Sequence, residues 1–401
     1  MKNRKKIVII GGGIIGLTIA YELAKKYSNI LIELHEKENI AGSHQSTRNS
    51  GVMHCGLHYK PGSLKAKLSS RGIKKLIQFC DDYSLQYEVC GKIVVANSPE
   101  EELTINHLLK NGFINGLVNL KILNKSEIKK REPFVKCNKA LLVPGEGIVD
   151  YKAVITKLCA LIKDKGHEIY FNSKIINISE KSNNKIIITS EKSEFECNYL
   201  INCGGLFSDR ILKLSQNNSS SKIIPFRGEY FQLKPEANAL VNHLIYPSPD
   251  IKFPFLGVHF TRLVNGEREV GPNAVLAFHR EGYLNTDFSL KDTYETLTYK
   301  GLRKFVFKNF NFSLNQLKMS MSKELFLHEA QKLIPDITVN DIIKGRSGVR
   351  AQAMNKNGKF LEDFEIKYQG NQLHVLNAPS PAATSSFAIA EHIVENYLSN
   401  L

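Results

Sequence analysis

Residues Gly11-Gly12-Gly13-Ile14-Ile15-Gly16 spell a GxGxxG pattern between an apolar run, Lys6–Ile10, and a stretch with Ile15, Ile19 and Leu23 at helical spacing. That arrangement suits a diphosphate. Gly11 permits a tight turn off a strand, Gly13 lets backbone come close to a pyrophosphate, and Gly16 lets the helix pack on the strand. The anion would sit at the helix N-terminus, on the N–H groups around Ile14 and Ile15. A second apolar run, Ile30–His35, ends at Glu36 and Lys37. Strand, glycine turn, helix and strand within about 30 residues make a βαβ unit. Glu36 is placed to accept hydrogen bonds from a ribose hydroxyl pair. Glu33 is the rival acid but lies inside the strand.

A dinucleotide fold alone does not choose between NAD and FAD. The segment Gly42-Ser43-His44-Gln45-Ser46-Thr47-Arg48-Asn49-Ser50-Gly51, running into Val52, does. It is small, polar and rich in hydroxyls, suited to lying under a diphosphate and a flavin. Nicotinamide enzymes rarely need such a second loop, so FAD is the expected cofactor. Gln45, Ser46, Thr47, Asn49, Ser50, Gly51 and Val52 are expected to contact it.

These groups must be held by a large scaffold. The chain has 401 residues, 42% apolar and 23% charged, enough for one large or two moderate cores. Helices are expected at Ile14–Tyr27, Ser63–Tyr83, Pro99–Lys110, Lys125–Arg131, Tyr151–Lys165, Asp292–Lys308, Ser322–Leu333 and Ala383–Leu398. Strands are expected at Lys92–Ala96, His167–Phe171, Lys174–Ile178, Lys185–Thr189, Tyr199–Asn202, Ile342–Met354 and Leu373–Asn377, with a strand-rich region over Lys222–Arg280. The fold class is mixed α/β, a Rossmann-type FAD-binding domain interleaved with a sheet-rich substrate domain. Residues 1–90, 145–220 and 340–401 are assigned to the first and 91–144 and 221–339 to the second. The net charge of +15 suits anionic partners, but no like-charge block or recognition module points to nucleic acid. Seven cysteines, none at CxxC spacing, argue against a disulfide framework and against a metal site, and fit a cytoplasmic enzyme. The basic start and apolar Ile7–Ala20 could pass for a secretory leader, yet the glycine cluster fits a phosphate loop better. No run of about 18 apolar residues predicts a transmembrane helix.

Several longer stretches carry a family likeness. They are Arg48–His54, Tyr59–Ala66, Arg227–Phe231, Phe253–Thr261, Gly271–Ala274, Gly348–Gln352 and Asn377–Ser386. With the glycine loop, they make the chain resemble the FAD-dependent oxidoreductases of the D-amino acid oxidase superfamily. Within it, the chain is similar to the L-2-hydroxyglutarate dehydrogenase/oxidase family. Arg48 and Phe231 stand where that family also shows His and Tyr. The resemblance implies oxidation of a 2-hydroxy dicarboxylate to the 2-oxo acid, with electrons leaving for a quinone, another carrier or oxygen.

Such chemistry needs a base for the hydroxyl proton, for which His54 and the rival His259 are the candidates. It needs donors for the carboxylates, assigned to Arg227, Tyr230 and Arg350, then Tyr59 and Lys65. It needs donors at the flavin's pyrimidine edge, assigned to Ser380, Pro381, Ala382, Ala383, Thr384 and Ser385 at the start of the last helix. Ile175 is expected at the adenine, Gly204 at the diphosphate, and Gly348 at the cofactor. An amino-acid or amine oxidase of the same superfamily is the alternative reading, a flavoprotein with a structural FAD a more distant one. The basic charge is compatible with a peripheral position on the inner face of the cytoplasmic membrane, although no amphipathic anchor stands out.

Overall fold

The computed structural model describes residues 4–181, 185–215, 218–249 and 256–399. The apolar run Lys5–Ile10 becomes the centre of a six-stranded sheet because both its edges are paired. Ile7–Ile10 pair in parallel with Tyr199–Asn202 on one side, and Lys5–Ile10 with Ile30–His35 on the other. Ile7, Val8 and Ile9 are fully buried, as β-branched residues covered on both faces of a parallel sheet should be. Glu168–Tyr170 extends the sheet beyond Ile30–His35, and the antiparallel hairpin Glu365–Gln369 and Gln372–Asn377 extends it beyond Tyr199–Asn202.

The helix Ile14–Lys26 packs against Tyr151–Asp164 and against the last helix, Ala382–Asn396. The latter also lies along Leu64–Asp82, whose N-cap Ser63 accepts the N–H of Ala66. The contact is backbone-close, since a Cβ on Gly72 would stand 2.5 Å from Ser385 Cα.

A nine-stranded sheet forms the second layer. Its longest pair is Ser221–Leu233 against Ile342–Asn355, antiparallel over nearly the full length of both. Thus 342–355, expected within the last cofactor segment, belongs to the large sheet, because its pairing partner is there. Lys92–Ala96 joins the same sheet between Leu244–Pro247 and Lys139–Val143. The single helix expected over Asp292–Lys308 is two, Leu290–Leu297 and Lys300–Lys308, split at Thr298 and Tyr299. A further helix, Phe310–Met321, was not foreseen. Its apolar residues Phe310, Leu314, Leu317 and Met321 recur at helical spacing, and the face they form is exposed rather than buried. All seven cysteines are free. Among the described residues no helix is long and apolar enough to cross a membrane.

Candidate active site

One cavity of about 1960 Å³ runs between the two layers. It opens at the carboxyl ends of the parallel strands, at Gly11, Glu36 and Cys203, where α/β sheets bind ligands. It exceeds the roughly 300–1,000 Å³ of a drug-sized site and has room for a dinucleotide and a substrate together.

The dinucleotide end is built from local geometry. Gly11 has φ +109°, a conformation that favours glycine, and a Cβ there would stand 2.5 Å from the Cys203 carbonyl oxygen. Gly13 leaves the helix without a side-chain cap, and Ser46 Oγ takes over by accepting the Ile14 N–H at 2.9 Å. Gly16 does not line the cavity. Its missing Cβ would lie 2.1 Å from the Gly11 carbonyl oxygen, so it sets the helix-to-strand packing. Glu36 is fixed from both oxygens: Oε2 accepts the Gly12 N–H at 2.7 Å and Oε1 the Glu38 N–H at 2.9 Å. Glu33 instead pairs with Lys6 at 2.6 Å, outside the cavity.

The polar loop holds itself in shape. Asn49 Nδ2 donates to the carbonyls of Gln45 and Ser46, and its Oδ1 accepts the Gly51 N–H. Thr47 donates to the Gly42 carbonyl at 2.6 Å. Gln45, Ser46, Asn49, Ser50 and Val52 line the cavity, whereas Thr47 and Gly51 do not and act as braces. Ile14, Ile15, Ile175 and Gly204 also line it. Gly348 lines it too, and a Cβ there would meet the Arg48 carbonyl oxygen at 2.1 Å, so the large sheet presses on this loop at that point. Lys37 reaches Glu281 of the second layer at 2.8 Å and His44 at 3.2 Å, and also pairs with Glu38. The ammonium of Lys37 therefore already serves the one group of residues, Glu38, His44 and Glu281, that could otherwise hold a metal ion among the described residues.

At the other end, Ser380, Pro381, Ala382, Ala383 and Thr384 line the cavity. The last helix starts there without a side-chain cap; the Ala382 N–H donates to the Pro379 carbonyl at 2.9 Å, and Ala383 and Thr384 of its first turn line the cavity. Ser385 turns inward and is fully buried. Thr384 Oγ1 accepts the His54 N–H at 3.1 Å, tying this terminus to the candidate base. His54, His259, Tyr59, Tyr230 and Arg350 all face the same space.

The two histidines differ. His259 is buried, its ring stacks on Tyr246 with centroids 4.0 Å apart, and its Nδ1 lies 2.8 Å from the Gly257 carbonyl. Burial pushes its pKa down to about 3. His54 is half-buried, with Nδ1 3.4 Å from Glu146 Oε2. Burial raises the phenols of Tyr59 and Tyr230, so both stay protonated and able to donate. Arg350 donates to the Asn273 carbonyl at 3.1 Å.

Arg227 is the correction. It does not reach the cavity. Gly228 and Tyr230 line it, and the period of two along the strand sends Arg227 and Glu229 to the opposite face. Phe253, Pro254 and Phe255 of one family stretch lie outside the described residues. Residues that sequence reasoning missed are Glu146, Lys92, His58 and Tyr246, gathered behind His54 by strand pairing.

A helix start on a glycine loop, a fixed carboxylate at the end of the second strand and a cavity long enough to continue past them fit FAD. A family model described as FAD dependent oxidoreductase matches residues 6–396, and the chain belongs to that family. Among curated proteins, the L-2-hydroxyglutarate dehydrogenase of Indibacter alkaliphilus is 44% identical over 97% of this chain and 98% of its own. The protein of that name in Escherichia coli K12 is 42% identical, covering 96% and 92%. The mitochondrial one of Bos taurus is 41% identical, covering 97% and 88%. Among solved structures, FAD-bound L-alpha-glycerophosphate oxidase of Mycoplasma pneumoniae has a TM-score of 0.80 at 20% identity, covering 98% and 94%. Glycine oxidase of Geobacillus kaustophilus has 0.73 at 15%, covering 98% and 94%. At these identities the structures speak for the fold.

Proposed function

We infer that this FAD-dependent oxidoreductase oxidises L-2-hydroxyglutarate to 2-oxoglutarate. The observation that carries the reading is one cavity holding a histidine beside a carboxylate, buried cationic and phenolic donors, and an uncapped helix start, in a chain at least 41% identical to three dehydrogenases of that substrate. Bound FAD supplies the acceptor for the hydride that leaves the hydroxyl-bearing carbon. His54 takes the hydroxyl proton, so hydride and proton together turn CH–OH into C=O. His54 is preferred over His259 because a ring with pKa about 3 is a weak base at neutral pH. Arg350, Tyr230 and Tyr59 hold one carboxylate and orient the carbon. Lys65, which lines the cavity and has no carboxylate within ion-pair distance among the described residues, holds the other. The Pro381–Thr384 helix start and the Gly11–Gly16 loop would hold the cofactor, and Glu36 would accept from its ribose.

The decisive experiment adds L- and then D-2-hydroxyglutarate to the holoenzyme without oxygen. Bleaching of the flavin by the L form alone supports the reading. Bleaching by an amino acid, with none by L-2-hydroxyglutarate, replaces it with the amino-acid oxidase alternative. Electrons then pass to a quinone, another carrier or oxygen, and supplying each in turn identifies the acceptor.

Peripheral contact with an anionic membrane is the finer part of the proposal. The helices Lys300–Lys308 and Phe310–Met321 leave Phe307, Phe310 and Met321 exposed together with Arg303, Lys304, Lys308 and Lys318, which suits insertion among acidic headgroups. Co-sedimentation with anionic vesicles at low salt, lost at high salt, is the expected result. No binding to such vesicles removes this part.

A further inference from the structure

The antiparallel register of two short strands has a chemical outcome. Val52 pairs with Ile148 and Met53 with Gly147, so the next residues, His54 and Glu146, face each other. The facing atoms are His54 Nδ1 and Glu146 Oε2, 3.4 Å apart. Lys92 Nζ is on the same oxygen at 2.8 Å, and the Cys55 thiol donates to Oε1 at 3.4 Å. Lys92 also meets His58 Nε2 at 3.3 Å and lies 4.8 Å from the centre of the Tyr246 ring.

The protonation states in this group follow from burial. Burial pushes His58 well down, with Lys92 adding to it, so His58 is neutral and accepts from Lys92. Burial and the nearby Glu146 push the Cys55 thiol well up, so it keeps its proton. Burial alone would raise the Glu146 carboxyl, but the Lys92 ammonium and the His54 hydrogen bond outweigh it and hold it below the usual carboxylate range. Glu146 is thus an anion with acceptors only, and the His54 nitrogen facing it must carry the proton. In the neutral ring that arrangement leaves the lone pair on His54 Nε2.

We propose that Glu146, itself anchored by Lys92, is a positioning residue that fixes His54 in the tautomer whose Nε2 can take the substrate's hydroxyl proton. The proposal rests on the reading of His54 as the base. Lys92 is 0% and Glu146 1% exposed. A buried pair of this kind commonly gains less stability than apolar residues of the same volume would, so stability alone is a weak reason for its presence. Its position, one hydrogen bond behind a cavity-lining histidine, gives the other reason. The arrangement has the logic of a carboxylate orienting a catalytic imidazole, and it also stabilises the imidazolium formed when Nε2 receives the proton.

The test is a cycle of Glu146→Gln, His54→Gln and the double variant, each as holoenzyme. Glu146→Gln should lower kcat by about 10²-fold with little change in KM, and the double variant should be no slower than His54→Gln alone. In ¹⁵N-histidine NMR the wild type should show His54 protonated at Nδ1, and Glu146→Gln should show mixed tautomers. If losses multiply in the double variant, or if Glu146→Gln keeps kcat within twofold while His54→Gln is slow, the positioning role is wrong and the base stands. If His54→Gln is itself fast, the base reading is what fails. Should Glu146→Gln not retain FAD, Lys92→Met/Glu146→Gln removes both buried charges and enters the same cycle with the same outcomes.

Discussion

Arg227 Nη2 lies 2.9 Å from Glu229 Oε1, two residues along the same strand and on the face turned from the cavity. The guanidinium also donates to the Leu284 carbonyl and to Asn285 Oδ1. Arg227 is 5% exposed, and its replacement leaves the Glu229 carboxylate without its cation, held among the described residues only by Asn273 and Ser320. Arg227→Ala should therefore cost about 3 kcal/mol of stability, as breaking a buried pair does, and leave KM within about twofold. Arg350→Ala should do the reverse: an increase in KM of about tenfold or more, from losing a charged hydrogen bond of about 1.5–3 kcal/mol, with FAD retained. Melting curves and steady-state kinetics on the two variants separate the roles. A Km effect from Arg227 with an unchanged melting temperature would reverse the assignment.

Gly16 and Glu36 define the cofactor end by two different forces. A methyl group at residue 16 must push against a backbone carbonyl at 2.1 Å, which cannot swing aside. Gly16→Ala should cost about 1–3 kcal/mol or more and weaken FAD binding by misplacing the loop. Glu36→Ala leaves the packing intact but frees the Gly12 and Glu38 N–H groups and removes the proposed ribose acceptor. Its apoprotein should lose about 1–3 kcal/mol of stability from the freed donors, while FAD affinity falls about tenfold or more. Flavin fluorescence titration reads the affinity. Normal affinity in Glu36→Ala would mean that the ribose is held elsewhere.

The strand–glycine turn–helix and the position of Glu36 at the second strand's end could be read from sequence because they are local. All of the relevant atoms lie within about 30 residues, and the turn, helix start and strand end are each signalled by residue type. Arg227 could not be placed, because a strand's phase is set by its neighbours rather than by its own residues. A shift of one residue would have brought it to the cavity at the place of Gly228 and turned Tyr230 away. Glu146 was invisible for a related reason. It sits in a glycine-flanked turn, 92 residues from His54, and only the pairing of Met53 with Gly147 brings the two together. Lys92 at the head of an apolar strand was a usable signal, since a lysine there is buried between the strands that pair with it at Val143 and Leu244. Of the helices between 290 and 321, only Phe310–Met321 lay outside the stretch expected to be helical, although Phe310, Leu314, Leu317 and Met321 repeat there at helical spacing.

Acid should weaken this fold before its carboxylates titrate. Burial lowers His259 to about 3 and His374 to about 4, against about 6.5 for an unfolded histidine. Between those values the unfolded chain binds more protons than the folded one. The stability these two rings contribute is thus fully present above about pH 6.5 and is lost as pH falls toward 4 and 3. Each should add a slope of up to about 1.4 kcal/mol per pH unit. Denaturant unfolding between pH 7.5 and 5 should show stability falling with pH, and His374→Leu should flatten the slope whatever its effect at pH 7.5. An unchanged slope in that variant would show that His374 is protonated in the folded state.

Lys65 predicts a pH limit on the substrate side. Its ammonium is nearly buried, 5.8 Å from the centre of the Tyr59 ring and 5.9 Å from that of Phe364. Burial lowers its pKa to about 8, with Asp363 and Glu362 pulling weakly the other way. Below pH 8 the side chain is charged and can receive a carboxylate. As pH rises through 8 it becomes neutral, and KM for L-2-hydroxyglutarate should climb toward about tenfold per pH unit. A 2-hydroxy acid of equal length with one carboxylate has nothing to lose there, so its KM should stay flat from pH 7 to 9.5. Lys65→Met should raise the KM of the dicarboxylate at pH 7, abolish its rise with pH, and leave the monocarboxylate unaffected. A pH-independent KM for the dicarboxylate in the wild type would move the second carboxylate away from Lys65.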